Sequence, residues 1–205
     1  MIKDHRHLIA ILRGITPEEA VAVCETLARA GISLIEVPLN SPQPIDSIRA
    51  AAKALEGRAS VGAGTVLKED DVDAVAAASG AFIVSPDCNE AVIARTRARG
   101  LRSYPGVFSP TEAFRAIRAG AHALKFFPAE VLGAVGIKAM KAVLPPEIPL
   151  YAVGGAKPDN FAEFLAAGCT GFGIGSYLYK PGSTVAEIAA RANALVAAYD
   201  RARTR

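Results

Sequence analysis

Cysteine and histidine are scarce in this chain, with three of each in 205 residues, and neither set clusters. Cys24, Cys88 and Cys169 are odd in number and form no close pair. Neither a disulfide framework nor a cysteine metal site is suggested by that spacing, and a reducing cytoplasm suits the chain. His5 and His7 fall in an N-terminal segment expected to be mobile, and His122 falls on the outer side of a strand, so none reads as a ligand or base. HxH, HExxH and carboxylate clusters are missing, which leaves no metal and no cofactor to expect. Long apolar runs are missing as well. The opening stretch, MIKDHRHLIAILRG, is too short for a secretory core or a bilayer span. Charge of one sign is not in excess: 23 basic residues face 20 acidic ones, for a net charge of +3. The arginines at 95, 97, 99, 201, 203 and 205 are spaced like solvated helix faces, without the clustered basic stripe that nucleic acid requires. What remains is an ordinary globular composition, 51% hydrophobic and 21% charged, with a length that suits one domain spanning residues 1–205. A soluble cytoplasmic protein with a small-molecule ligand is expected.

The organising signal is a recurrent junction in which a helix-like run meets glycine and then a short β-rich run. It occurs at Gly31, Gly57, Gly80, Gly100, Gly120 and Gly168. Glycine just past a helix relieves the left-handed backbone that many helix ends adopt. The opposite junction is marked at Thr16-Pro17-Glu18-Glu19 and Ser109-Pro110-Thr111-Glu112, where a hydroxyl cap precedes proline and a closing glutamate. Pro158 is expected to start another helix. Between these marks the strands read as 8–13, 33–38, 60–65, 81–85, 101–104, 122–127, 148–154 and 171–175. Eight strands alternating with helices, without a break in composition, predict a (β/α)8 TIM barrel. An open doubly wound sheet is the competing architecture. It would carry a phosphate fingerprint after its first strand, where this chain has Leu12-Arg13-Gly14-Ile15. The Gly62-Ala63-Gly64 run lacks the third glycine, and no Walker A sequence is present. The C-terminal run 184–199 reads as a closing helix, with Leu195 and Val196 in the core.

In a closed barrel alternate residues face the interior and the active site lies at the C-terminal strand ends. Strand 122–127 therefore turns Ala123, Lys125 and Phe127 inward and His122, Leu124 and Phe126 outward. A desolvated lysine holds a fraction of neutral amine, the form that attacks a ketone. The same lysine could instead reach out from a strand end or pair structurally with a carboxylate. Glu36 is inward by the same alternation, between Ile35 and Val37. Together the two read either as a buried ion pair or as an amine with its proton shuttle, and their shared position near the strand ends favours the second. Arg13 and Thr65 end two further strands and offer a guanidinium fork and a hydroxyl to a carboxylate. Gly154, Gly155, Gly175 and Ser176 end the last two strands, the usual phosphate position of this fold. Two other functions use the same features: a sugar-phosphate isomerase or epimerase without a covalent lysine, and a non-catalytic phosphosugar-binding barrel.

Taken in order, Ile11-Leu12-Arg13-Gly14, Glu36-Val37-Pro38-Leu39-Asn40-Ser41-Pro42, Gly62-Ala63-Gly64-Thr65-Val66, Ser85-Pro86, Pro105-Gly106-Val107, Lys125-Phe126-Phe127-Pro128-Ala129-Glu130, Ala152-Val153-Gly154-Gly155 and Gly175-Ser176 resemble the KDPG/KHG aldolase family. The likeness spans nearly the whole chain, with one block per strand end. The gluconate branch of that family carries arginine in a Glu-Val-Thr-Leu-Arg-Thr pattern where this chain has Asn40, and Gly175-Ser176-Tyr177-Leu178-Tyr179 is similar to the galactonate branch. The resemblance implies a metal-independent lyase that cleaves 2-dehydro-3-deoxy-6-phosphogalactonate to pyruvate and glyceraldehyde 3-phosphate, with the gluconate epimer as the alternative substrate. It implies a homotrimer, Lys125 as the Schiff-base lysine and Glu36 as the acid/base. It also implies Arg13 and Thr65 on the pyruvate carboxylate, Pro86 shaping that pocket, and Gly154, Gly155, Gly175 and Ser176 on the phosphate.

Overall fold

Short β-branched runs that alternate with amphipathic helices bury their strands most readily in one parallel sheet covered by helices. The computed structural model, which describes residues 6–204, has that form. In chain order the elements are β1 Leu8–Ile11, α1 Pro17–Ala30, β2 Leu34–Pro38, α2 Pro44–Ala54, β3 Ser60–Gly64, α3 Glu69–Ala77, β4 Phe82–Val84, α4 Glu90–Ala98, β5 Arg102–Tyr104, β6 Gly106–Val107, α5 Pro110–Arg118, β7 Leu124–Phe126, α6 Ala129–Lys141, β8 Leu150–Val153, α7 Phe161–Ala166, β9 Gly171–Ile174 and α8 Val185–Arg203. All pairings are parallel, in the order β5-β4-β3-β2-β1-β9-β8-β7-β6.

The ninth strand departs from the eight expected, and Pro105 explains it. Proline has no N–H to give to a ladder, so it divides the run 102–107 into β5 and β6. The run still serves both neighbours. Tyr104 O accepts from Ser85 N–H at 3.2 Å, while Ser103 O accepts from His122 N–H at 2.9 Å and Pro105 O from Lys125 N–H at 2.9 Å. Residues 102–107 thus occupy one barrel position, and the sheet closes as a (β/α)8 TIM-like barrel. Along the chain Pro105-Gly106 looks like a turn, so the expected strand ends at 104.

Two separate apolar clusters follow from the alternation. The larger lies between sheet and helices and takes Leu8, Ala10, Ile35, Val37, Leu124, Phe126, Ala152 and Phe172. The smaller fills the barrel and takes Ile9, Ile11, Leu34, Phe82, Val84, Tyr104, Ala123, Tyr151 and Val153. The lower barrel is plugged by edge-to-face rings, Phe82 on Tyr104 at 5.7 Å and Tyr104 on Tyr151 at 5.6 Å. His7 completes that plug, its Nδ1 2.8 Å from the Tyr151 hydroxyl, so the mobile segment expected around it is overturned at His7. His5 lies outside the described residues. His122 is half-buried, and its Nδ1 accepts from Ser103 N–H at 3.1 Å.

The helix ends mostly obey the signals read from sequence. Ser109 and Glu112 exchange their capping bonds, and Glu19 accepts from Thr16 N–H at 3.3 Å. Thr184 and Glu187 form a further capping box that starts α8. Leu195 is buried and Val196 packs against the core, as expected. Two junctions differ. At the third glycine junction Ser79, not Gly80, takes the left-handed backbone, with φ of 62°; a Cβ on Gly80 would come 2.4 Å from Val75 Cγ1, so glycine there relieves a close approach. Pro158 does not open a helix: it sits in a turn, and α7 begins at Phe161 behind Asn160.

Phe172 anchors the C-terminal side of the outer layer, stacked on Phe161 at 4.1 Å and edge-on to Tyr199 at 6.3 Å. Phe172→Ala is expected to cost about 3–5 kcal/mol, the usual loss for truncating a buried ring. Urea denaturation checks this, and a loss below about 1 kcal/mol would show that the ring is not a core anchor.

Candidate active site

Three glycines make room at the top of the barrel. A Cβ on Gly64 would come 1.7 Å from Glu36 Oε1, so the glutamate side chain occupies the volume that any other residue at 64 would fill. A Cβ on Gly106 would come 2.2 Å from Pro86 O, and one on Gly173 2.7 Å from Val153 Cγ2. Glu36 sits opposite Ile11 and Gly62 in register, and Lys125 opposite Gly106 and Tyr151. Both charged side chains point inward as the alternation requires, and both are buried, with 2% and 7% of their surface exposed.

No hydrogen bond joins Glu36 to Lys125, and they form no ion pair among the described residues. A structural ion pair, one of the two readings left open by the sequence, is therefore not what these residues make. They interact through space. Burial raises the Glu36 carboxyl above the usual carboxylate range, against the pull of Lys125 and Arg13. Burial also lowers the Lys125 amine; Glu36 and Asp87 oppose that shift and Arg13 adds to it. Both groups are thus biased toward their neutral forms, one able to give a proton and the other to attack an electrophile. Lys125 Nζ lies 4.7 Å from the Phe127 ring centroid, which fixes where the long side chain ends.

At the barrel mouth opens a cleft of about 770 Å³ lined by Ile11, Arg13, Phe127, Val153, Gly173, the turns Gly154–Lys157 and Gly175–Tyr177, and the segment 179–181; Glu36 and Lys125 do not line it, and Phe127, which Lys125 Nζ approaches, stands between it and the amine. Five expected site residues meet here: Arg13, Gly154, Gly155, Gly175 and Ser176. Arg13 is exposed and donates from one guanidinium nitrogen to Asn40 Oδ1 at 2.7 Å, leaving the rest of its fork without a partner among the described residues. Gly154 and Gly155 both have positive φ, 92° and 75°, so this turn requires glycine.

Thr65 and Pro86 do not line that cleft. They are half-buried on the other side of the barrel mouth, Thr65 directly after the glycine beneath Glu36 and Pro86 against the glycine paired with Lys125. Thr65 carries a φ of 57°, a left-handed backbone that few non-glycine residues adopt and that often marks functional positions. Sequence reasoning missed Asp87, Ala156, Lys157, Tyr177 and Lys180. Their signal was adjacency to residues already chosen, since each lies within five positions of one.

The turn backbones carry the remaining chemistry. Among the described residues the N–H groups of Gly155, Ala156, Ser176 and Tyr177 find no acceptor, and all four residues line the cleft. Backbone donors without acceptors in a concave site form an anion receptor. The buried amine itself is measurable. Acetylation of Lys125 by acetic anhydride, followed by mass spectrometry against pH, should show a midpoint below the ordinary 10.5. Glu36→Gln should lower that midpoint further, because an amide no longer favours the ammonium form. A midpoint that rises in the variant contradicts the coupling.

Comparison with known proteins accords with this geometry. The model of the family "KDPG and KHG aldolase" matches residues 2–194. The probable 2-dehydro-3-deoxy-6-phosphogalactonate aldolase of Rhizobium meliloti (strain 1021) is 49% identical over 95% of this chain and 92% of its own. The 2-dehydro-3-deoxy-6-phosphogalactonate aldolase of Escherichia coli (strain K12) is 49% identical over 95% of both chains. A solved structure described as native KDPGal superposes with a TM-score of 0.95 at 48% identity, covering 97% of this chain and 96% of that one. The chain belongs to the KDPG/KHG aldolase family.

Proposed function

We propose that this barrel, as a single domain, is a class I aldolase that cleaves 2-dehydro-3-deoxy-6-phosphogalactonate to pyruvate and D-glyceraldehyde 3-phosphate. The observation that carries the reading is a buried lysine and a buried glutamate, inward on one barrel and not paired with each other, with the lysine approaching Phe127 at the wall of a cleft of open N–H groups. Lys125 attacks the C2 ketone, and the carbinolamine loses water to give an iminium, with Glu36 supplying and removing protons. Glu36 then accepts the C4 hydroxyl proton. The C3–C4 bond breaks, its electron pair enters the iminium to give an enamine, and the aldehyde leaves. Protonation of the enamine at C3 and hydrolysis release pyruvate and regenerate the amine.

The remaining residues bind and orient. Arg13, with one edge held by Asn40, and the Thr65 hydroxyl take the substrate carboxylate, and Pro86 shapes the wall behind Lys125. Gly154, Gly155, Gly175 and Ser176 take the phosphate at the far end of the cleft. The protein works in the cytoplasm as a homotrimer. Three free cysteines suit a reducing compartment, and no helix among the described residues is long and apolar enough to cross a membrane. Support for assembly comes from α6, which presents Val131 and Val135 at 69% and 86% exposure. Large apolar side chains exposed close together in the chain are a common assembly surface.

Borohydride added with pyruvate should leave a stable adduct on Lys125, and Lys125→Ala should leave almost no turnover. Glu36→Gln should slow cleavage by roughly 100- to 10,000-fold, the usual worth of a positioned acid/base. The galacto epimer should be cleaved faster than the gluco epimer; a preference for the gluco epimer overturns the substrate assignment. Normal turnover by Lys125→Ala overturns the mechanism. Analytical ultracentrifugation should read three 21.3 kDa chains per particle, with Val135→Asp shifting the population toward single chains.

A further inference from the structure

The lining of the cleft includes three cations, Arg13, Lys157 and Lys180, and the carboxylate next to it, Glu130, stands against the Gly155 turn, 2.6 Å from the Cβ position there. Arg13 lies toward Asn40 and the buried pair. Lys157 and Lys180 instead follow the two turns that carry the open N–H groups, and both lie outside the sequence blocks that mark the family. We propose that Lys157 and Lys180 form an ammonium clamp on the substrate phosphate and are the residues by which this protein selects phosphorylated over unphosphorylated sugar acids. The clamp rests on the aldolase reading above for its substrate, though not for its anion chemistry.

A phosphate monoester carries close to two negative charges at pH 7. Backbone N–H groups meet its oxygens with partial charges only, so full counter-charge has to come from side chains. Both lysines are held beside the turns by bonds in their own loops. Lys157 N–H donates to Asn160 Oδ1 at 2.9 Å, and Asn160 Nδ2 donates to Gly155 O at 2.9 Å, which ties the lysine to the Gly155 turn. On the neighbouring loop the Tyr179 hydroxyl donates to Glu19 at 2.5 Å, and Lys180 O accepts from Ser183 N–H at 3.0 Å. Pro181 lies close against Gly14, whose Cβ position would be 2.8 Å from Pro181 Cγ, so the loop bearing Lys180 is packed on the loop bearing Arg13.

The two ammonium groups differ in readiness. Lys157 pairs with Asp159 at 3.1 Å, but both side chains are more than half exposed, and a pair of that kind yields readily to a better anion. Lys180 has no ion pair among the described residues. Lys180 therefore contributes first and Lys157 second. Ammonium groups attract an anion from any direction, whereas the N–H groups fix its orientation, so selection by charge and alignment by backbone are separate functions of one subsite.

The test compares wild type, Lys180→Gln, the Lys157→Gln/Lys180→Gln double variant and Lys180→Arg on the intact protein. Inorganic phosphate is titrated by thermal shift, and cleavage of the phosphorylated aldol is compared with cleavage of its dephosphorylated counterpart. The double variant should bind phosphate on the order of 10-fold or more weakly and raise KM for the phosphorylated aldol by a similar factor, as expected for charge-assisted contacts. Its kcat should stay within about 2-fold and its handling of the dephosphorylated aldol should be unchanged, a split expected when uniform binding is removed. Lys180→Arg should retain most of the wild-type affinity. Phosphate affinity and KM within about 2-fold of wild type in the double variant overturn the clamp, as does a Lys180→Arg loss equal to that of Lys180→Gln. Failure of the wild type to trap pyruvate on Lys125 overturns the aldolase reading alone, because the phosphate titration still reads the clamp.

Discussion

Closing a parallel sheet on itself forces every second side chain of each strand into one shared interior, and the chemistry of this chain depends on that confinement. Water is excluded below by the plug of Phe82, Tyr104, Tyr151 and His7. Above the plug an amine and a carboxyl are left in a volume too dry to favour either charge. In water Lys125 would be an ordinary ammonium and Glu36 an ordinary carboxylate. Inside the barrel both shift toward neutrality, and because they do not touch, neither is consumed by an ion pair with the other. A direct buried pair would have held both in their charged forms.

Room for the glutamate and for close approach of neighbouring strands comes from residues chosen for smallness. Gly62 and Gly64 on β3, Gly106 on β6 and Gly173 on β9 all face positions where a Cβ would meet backbone or a neighbouring side chain. The larger inward residues of the smaller cluster supply the packing lower down, and the outer layer between sheet and helices supplies most of the core. Stability and chemistry are thus divided along the barrel axis. The division explains how a site with two buried ionisable groups is tolerated: the cost of desolvating them falls on a fold whose principal core lies elsewhere.

The cleft at the barrel mouth is an assembly of loops from distant parts of the chain. Arg13 follows β1, Phe127 follows β7, and the two glycine turns follow β8 and β9, yet Tyr179 reaches the start of α1 through Glu19 and Pro181 rests on Gly14. First and last barrel positions are neighbours through the β1–β9 pairing, so this joint closes the circle of loops as the sheet closes the circle of strands. A cleft tied in this way holds its anion receptor and its arginine in a set relation to the buried lysine, which a substrate with charge at both ends would require.

Much of this was legible from residue order because the responsible physics is local. Strand alternation turned Lys125, Glu36 and Phe127 inward, glycine and capping signals marked most helix ends, and the blocks at strand ends announced the family. Where the sequence misled, a tertiary contact had the decisive part. Pro105 reads as the end of a strand, but neighbours on both sides donate hydrogen bonds to carbonyls of its run and keep it in the sheet. His7 reads as a loose terminus, but Tyr151 captures it beneath the barrel. The choice between an ion pair and a separated pair for Glu36 and Lys125 was equally beyond residue order, because it depends on how far apart two strands hold their side chains across a closed interior. Lys157 and Lys180 look like surface charges along the chain, and they line one cleft only because barrel closure sets the loops after β8 and β9 side by side. Local propensity and period therefore decided which way each residue faces, while closure of the barrel decided which residues meet.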